Sequence, residues 1–231
     1  AESVGSRLQA GPRNGDAITS THHTGLDADL AIFSFNSNKI ITTSGGGILA
    51  GHDASIVAHA RKMANQAREP VAHYEHTAVG HNFRMSAVAA AIGIGQLSVL
   101  QQRVAQRRHV YERYAANLQG LPGVRLLLPT PGTRPNHWLT VIQVEPEIAG
   151  TTREALSTAL ARHGIETRPV WKPMHMQPVF SKHRTRGGER AAEVFRKGLC
   201  LPSSSTLTDD TIDDVSGRIR SFVASALLSV A

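Results

Sequence analysis

The sequence predicts a mixed α/β chain in two portions, and three observations carry that prediction. Apolar residues recur at strand spacing and at helix spacing in alternation from Ala28 to Leu228. The pattern changes near residues 115–120, where a long helical stripe stops at Gly120 and Pro122. A length of 231 residues with 41% hydrophobic content is enough for one large or two small buried cores.

Taken in order, residues 11–25 are mostly Gly, Pro, Asn, Asp, Ser, Thr and His and read as a loop. Residues 28–35 form a short apolar run that predicts a buried strand, and 46–50 predict a second. Asp53 is placed to cap a helix whose apolar positions run from Ile56 to Ala67, with Pro70 just beyond. Residues 71–85 read as a polar connection. Ser86 then caps a long helix, and Val88, Ala91, Ile92, Val99, Leu100, Val104, Tyr111 and Leu118 supply its apolar stripe. Beyond Gly120, residues 124–128 and 137–144 predict strands, and Thr151-Thr152-Arg153-Glu154 reads as a capping box opening a helix that ends at Gly164. A strand over 165–170, a helix over 188–197, a buried strand at Cys200 and a terminal amphipathic helix over 208–228 complete a small α/β unit with a partly antiparallel sheet. There is no internal repeat.

Composition removes several functions. The formal charge of +7 invites a nucleic-acid reading, but the basic runs at 103–113 and 182–186 lack the interleaved aromatics of a stacking platform. No apolar run approaches the ~20 residues that a membrane helix needs. A lone Cys200 permits no internal disulfide, which fits the cytoplasm. The opening residues carry neither an initiator methionine nor a signal pattern, so a start inside a longer reading frame, or a trimmed chain, is expected.

The most informative stretch is Phe33-Ser34-Phe35-Asn36-Ser37-Asn38-Lys39-Ile40-Ile41-Thr42-Thr43-Ser44-Gly45-Gly46-Gly47. One lysine follows a strand and a polar turn, beside small residues that let a ligand approach the backbone. A lysine attacks a carbonyl only when neutral, so a catalytic one needs desolvation or neighbouring positive charge. A structural lysine paired with an acid is the alternative. The glycine run is followed by no Gly-Lys-Ser/Thr and opens no helix, which excludes a phosphate loop of that kind. His73, Glu75, His76 and His81 lie close in sequence but match no metal-ligand spacing, so no metal is expected. Residues 171–178, Trp-Lys-Pro-Met-His-Met-Gln-Pro, form a stiff loop that either lines a site or packs its Trp and Met into the core.

Together these segments resemble the DegT/StrS-type family of pyridoxal-phosphate-dependent sugar aminotransferases, which have the fold-type I aspartate-aminotransferase architecture. Residues 1–6, 33–47, Gly80-His81-Asn82-Phe83-Arg84-Met85-Ser86, Arg168-Pro169-Val170-Trp171-Lys172-Pro173-Met174-His175 and Leu199-Cys200-Leu201-Pro202-Ser203 carry the likeness in the family's order. The resemblance implies that residues 1–118 are the C-terminal part of a cofactor-binding large domain and 119–231 a small α/β domain. It implies that Lys39 forms the internal aldimine with pyridoxal 5′-phosphate, that Ser34 binds the cofactor phosphate, and that Glu2 hydrogen-bonds the pyridine 3-oxygen. Asn82 would reach the phosphate of a neighbouring subunit, giving a homodimer with shared sites. Arg84 and His175 would face the sugar nucleotide.

The activity implied is transfer of an amino group from glutamate or glutamine to a nucleotide-linked keto sugar, with Lys39 moving the proton. Relatives with histidine at the Lys39 position are dehydratases. Two departures stand out: His81 occupies a position where the family usually has tyrosine, and residues 7–27 are longer than the usual link. The family's aspartate partner of the pyridine nitrogen, with a whole N-terminal half, is expected ahead of Ala1, which admits a separate N-terminal half as partner. The alternative is a non-catalytic remnant or interaction protein of the same fold.

Overall fold

A computed structural model of the chain describes residues 3–9 and 21–230. In chain order its elements are β1 (Arg7–Gln9), β2 (Thr21–His23), β3 (Leu30–Ser34), β4 (Gly47–Gly51), α1 (Ala54–Ala64), α2 (Ala87–Ser98), α3 (Leu100–Leu118), β5 (Val124–Leu126), β6 (Thr133–Arg134) and β7 (Thr140–Val144). Then come α4 (Pro146–Ala149), α5 (Arg153–Ala161), β8 (Arg168–Pro169), α6 (Glu189–Lys197), β9 (Gly198–Leu201) and α7 (Asp209–Val230). The chain divides into two compact units: residues 1–104 with 130–138, and residues 105–129 with 139–231.

In the first unit β3 and β4 form an antiparallel hairpin, with Leu30 opposite Gly51 and Ser34 opposite Gly47. A second small sheet has the order β2-β1-β6, all antiparallel, so that Arg7 faces both His23 and Arg134. Sequence reading had only a loop for residues 7–27, because three-residue polar strands such as Thr21-His22-His23 carry no hydrophobic period. The buried centre of this unit is Phe35, Ile40, Ile41 and Val104, with Val4, Phe33, Met85 and Leu100 packed around it.

The helices start where their caps predict. Asp53 accepts from the Ser55 and Ile56 amides at 2.8 and 3.3 Å, and Ser86 accepts from the Ala89 amide at 3.2 Å. The predicted single helix from Ser86 to Gly120 is two helices, broken at Val99 (φ −106°, ψ 8°). Gly93 and Gly95 weaken the helix before the break, and Ser98 Oγ bonds back to the Gly95 carbonyl at 2.7 Å, competing with the backbone ladder.

The second unit is a four-stranded antiparallel sheet in the order β5-β7-β9-β8. Its core follows from helical spacing: Val110, Tyr114 and Leu118 of α3 and Ile212, Val215, Ile219 and Val223 of α7 join Ile142, Val144, Leu199 and Leu201 of the sheet. Each such side chain taken from water contributes about 1.5–3 kcal/mol. Among the predicted boundaries that move, three have a visible cause. The 137–144 strand starts only at Thr140, since His137 has a left-handed φ of 50°. The 165–170 strand shrinks to Arg168–Pro169 on the sheet edge, where Pro169 has no amide proton to give. The α5 cap is Thr152, whose Oγ1 accepts from Ala155 N at 3.2 Å; Glu154 instead accepts from Arg153 Nε at 2.6 Å.

Candidate active site

Lys39 stands in the loop that joins β3 to β4. The loop is closed at its neck by Phe35 N donating to the Gly46 carbonyl at 3.0 Å and Thr43 N donating to the Phe35 carbonyl at 2.9 Å. Thr42 Oγ1 adds a third bond to the Phe35 carbonyl at 3.1 Å. Ile40 and Ile41, 6% and 1% exposed, anchor the loop in the core immediately after the lysine. The loop therefore cannot swing freely. Lys39 itself is half-buried, and its amide donates to the Asn36 carbonyl at 3.0 Å in a tight turn.

The lysine ammonium does not point into an apolar core. Its Nζ lies 4.1 Å from the centre of the Trp138 ring, on the ring face. Trp138 Nε1 donates to the Asn38 carbonyl at 2.7 Å, which fixes the ring against the same turn. Trp138 is in turn held by Asn136, 4% exposed, whose Oδ1 accepts from Trp138 N at 3.0 Å. Asn136 also donates from Nδ2 to the Val4 carbonyl and from its amide to Ser6 Oγ, both at 2.9 Å. Residues 130–138 thus join the segment at residues 3–6 to the lysine loop. Sequence reading missed both Asn136 and Trp138, because they lie about a hundred residues from the loop they serve and their segment reads as the start of a strand.

Ser34 ends β3, five residues before Lys39. Its Oγ accepts a long bond of 3.4 Å from the Asn36 amide, leaving the hydroxyl proton to donate elsewhere. A hydroxyl donor at the end of β3 and a primary amine on the anchored loop that follows are a phosphate ligand and a carbonyl-reactive group, so these residues fit pyridoxal 5′-phosphate. Glu2 lies outside the described residues.

Asn82 and Arg84 are exposed on a second segment of the same unit. It is stitched to the end of α1 by His81 N to the Met63 carbonyl (2.8 Å), Gln66 N to the His81 carbonyl (3.0 Å) and Phe83 N to the Ala64 carbonyl (3.0 Å). Gly80 permits this approach: a Cβ there would lie 2.3 Å from Ala67 N. The His81 and Phe83 rings stack at 4.8 Å. The histidines of this region are used locally, His73 with Glu75 at 3.1 Å and His76 Nδ1 with the Gln66 carbonyl at 2.9 Å. Among the described residues no group of three or more His, Cys, Asp or Glu side chains could hold a metal ion.

His175 belongs to the second unit, in a short 3₁₀ turn at Met174–Met176. Its ring rests on Gly188, the residue before α6, whose φ of +113° and a Cβ contact of 2.7 Å to the imidazole both require glycine. With Phe180, His183, Arg184 and Arg186 it lines a hollow of about 390 Å³, of a size and sign suited to a small anion-bearing ligand. Cys200 is buried in β9, where burial pushes its thiol up to about 11, so it is an inert core residue.

Comparison with known proteins gives a consistent result. Residues 1–220 match the model of the DegT/DnrJ/EryC1/StrS aminotransferase family. The protein EpsN of Bacillus subtilis (strain 168), whose name describes a pyridoxal phosphate-dependent aminotransferase, is 42% identical over 192 residues, 81% of this chain and 48% of EpsN. GDP-perosamine synthase of Caulobacter vibrioides is 34% identical over 205 residues, 87% of this chain and 55% of the synthase. The crystal structure of the aminotransferase TlmJ from Streptoalloteichus hindustanus superimposes with a TM-score of 0.79 at 28% identity, over 88% of this chain and 54% of TlmJ. The chain spans about half the length of the curated relatives it matches.

Proposed function

This chain belongs to the DegT/DnrJ/EryC1/StrS aminotransferase family, and from that premise we propose that it takes part in pyridoxal-phosphate-dependent transfer of an amino group to a nucleotide-linked keto sugar. The observation that carries the reading is Ser34 at the end of β3 with Lys39 on the anchored loop that follows it. Glutamate or glutamine is the donor in this reading. The relatives' names support the acceptor class, since GDP-perosamine synthase and a dTDP-4-dehydro-2,3,6-trideoxy-D-glucose 4-aminotransferase are among them.

Pyridoxal 5′-phosphate, when bound, supplies an electron sink for the carbon that loses its proton. Lys39 provides the amine that holds the cofactor and, once released, takes up the proton of the donor α-carbon at Nζ and returns it in the second half of the cycle. Ser34 donates its hydroxyl to the phosphate, and Glu2 orients the ring through the 3-oxygen. Asn82 serves the phosphate of a neighbouring subunit, which makes a homodimer with shared sites part of the proposal. Arg84 and His175 are the residues proposed to bind the sugar nucleotide; His175 lines the basic hollow of the second unit. The functional partition follows residues 1–118 for the cofactor and 119–231 for the small domain. Among the described residues no helix is long and apolar enough to cross a membrane; a cytoplasmic setting is proposed from the lone, buried Cys200.

The test is titration with pyridoxal 5′-phosphate, of the chain alone and of the chain mixed with the N-terminal half of EpsN. A near-visible absorbance band that vanishes in Lys39→Ala supports the reading. No band in either form overturns it.

A further inference from the structure

We propose that the seam between α5 and α7 in the second unit is a binding site for a small organic carboxylate with an apolar body. The two helices meet in the core through residues such as Leu156 and Leu160 of α5 and Val215 and Ile219 of α7. Beside that contact lies a hollow of about 440 Å³, within the range of small-molecule sites. Leu160, 1% exposed, and the half-buried Phe222 supply its apolar part, and His163, Arg218 and Ser221 supply polar groups. None of the residues assigned above to the cofactor or the sugar nucleotide belongs to it.

The polar groups define the ligand's head. Arg218 is held by Asp214 through Nε alone, at 3.0 Å from Oδ1 and 2.8 Å from Oδ2. Among the described residues no hydrogen bond engages its Nη1 or Nη2, either ring nitrogen of His163, or the hydroxyl of Ser221. The Ser225 hydroxyl is already engaged, donating to the Ser221 carbonyl at 2.9 Å. The N–H groups at the tip of a planar fork are thus open, on a side chain whose direction its neighbour fixes. Such a fork matches a carboxylate in shape as well as charge. Asp214 offsets part of the arginine's charge, so the recognition is by direct hydrogen bonds rather than by a long-range field. A bare anion would leave Leu160 and Phe222 uncovered, and a neutral molecule would leave the fork without a charged acceptor. A carboxylate on a compact hydrocarbon body satisfies both.

Gly217 is a second, independent sign. It stands in the middle of α7, where glycine is the poorest helix former after proline. Its φ is not left-handed, and apart from the helix backbone no atom lies within 4 Å of where its Cβ would be. Neither packing nor conformation asks for glycine here. What its missing side chain does is keep the hollow open beside Arg218 and Ser221.

The experiment is titration of the isotope-labelled whole chain with phenylpropanoate, followed by its amide resonances. Saturating shifts at His163, Gly217 and Ser221 are expected, with a dissociation constant on the order of 1 mM for a ligand of this size. Phenylpropanamide keeps the body and loses the charge; acetate and inorganic phosphate keep a charge and lose the body. Each is expected to bind roughly ten-fold more weakly than the acid. Arg218→Gln is expected to weaken the acid by roughly ten-fold and to leave the amide unchanged. Gly217→Leu fills the hollow without touching a donor, so it is expected to abolish the shifts at His163 and Ser221 while its thermal midpoint stays at or above the native one. Should Arg218→Gln fail to fold, Gly217→Leu decides. No saturating shift at these amides, an amide or a bare anion that binds as well as the acid, or a Gly217→Leu variant that binds as the native chain does would each overturn the proposal.

Discussion

Replacing Tyr114 by Phe should make this protein more stable, although it removes a polar group from a well-packed core. Tyr114 is fully buried among Val110, Leu118, Ile142 and Ile219, and its hydroxyl has no hydrogen-bond partner. Burial alone pushes the phenol well above its ordinary range, as expected of a group surrounded by hydrocarbon. An unpaired buried hydroxyl costs about 1–3 kcal/mol. Deleting the oxygen leaves a void on the order of 15 Å³, which at ~24 cal/mol per Å³ costs about 0.4 kcal/mol. The net gain is therefore about 1–2 kcal/mol. Urea unfolding followed by circular dichroism measures it, read on the transition that belongs to the second unit because two compact units need not unfold together. Thr140→Val provides an independent check, since Thr140 Oγ1 in β7 is also buried without a partner and the side chain is fully buried. A Tyr114→Phe midpoint at or below the native one would refute the reasoning, because it would mean that the hydroxyl is satisfied.

Three further outcomes follow from the geometry. Gly80→Ala places a Cβ 2.3 Å from Ala67 N, so the segment must retreat by about 1 Å to reach an ordinary 3.4 Å contact; destabilisation by ~1–3 kcal/mol is expected, with faster amide exchange at His81 and Phe83. Asp213 accepts from Arg113 and Asn117, which hold its carboxyl at about 2. Because that value is depressed, the contribution of Asp213 is fully present above pH ~4 and is lost as pH falls toward 2, so Asp213→Asn should flatten the acid limb of a stability–pH curve. Gly188→Ala should displace the His175 ring, seen as a shift of its imidazole resonances, while leaving the second unit's sheet signals in place.

Elements whose cause is local were legible in the sequence. Asp53 and Ser86 act as caps because a side-chain oxygen two or three residues before a free amide needs nothing distant. The apolar rows of α7 and of the last turns of α3 likewise declare their buried faces. Lys39 was legible as a singular lysine after a strand, and the resemblance of its flanks to a known family carried the rest. What sequence could not show depends on contacts across the chain. The break at Val99 follows two glycines and a serine that bonds back to a glycine carbonyl, inside a stripe that looks continuous. The ring that meets the Lys39 amine belongs to a tryptophan about a hundred residues on, in a stretch that reads only as the start of a strand. The sequence places apolar strand residues beside Lys39, and the structure adds the face of the Trp138 ring 4.1 Å from its Nζ.

The excursion at residues 130–138 bears on how the protein is made. Its flanks, 105–129 and 139–231, belong to the second unit, yet β6 pairs with β1 and Asn136 bonds Val4 and Ser6. On a ribosome that extends the chain from its N-terminus, the first unit cannot close when residue 104 emerges. It waits until roughly 35 further residues have been added, by which time the second unit has begun. The loop carrying Lys39 is therefore without its aromatic partner during that interval, and a nascent chain halted before Trp138 should present the lysine to reagents that the finished protein resists.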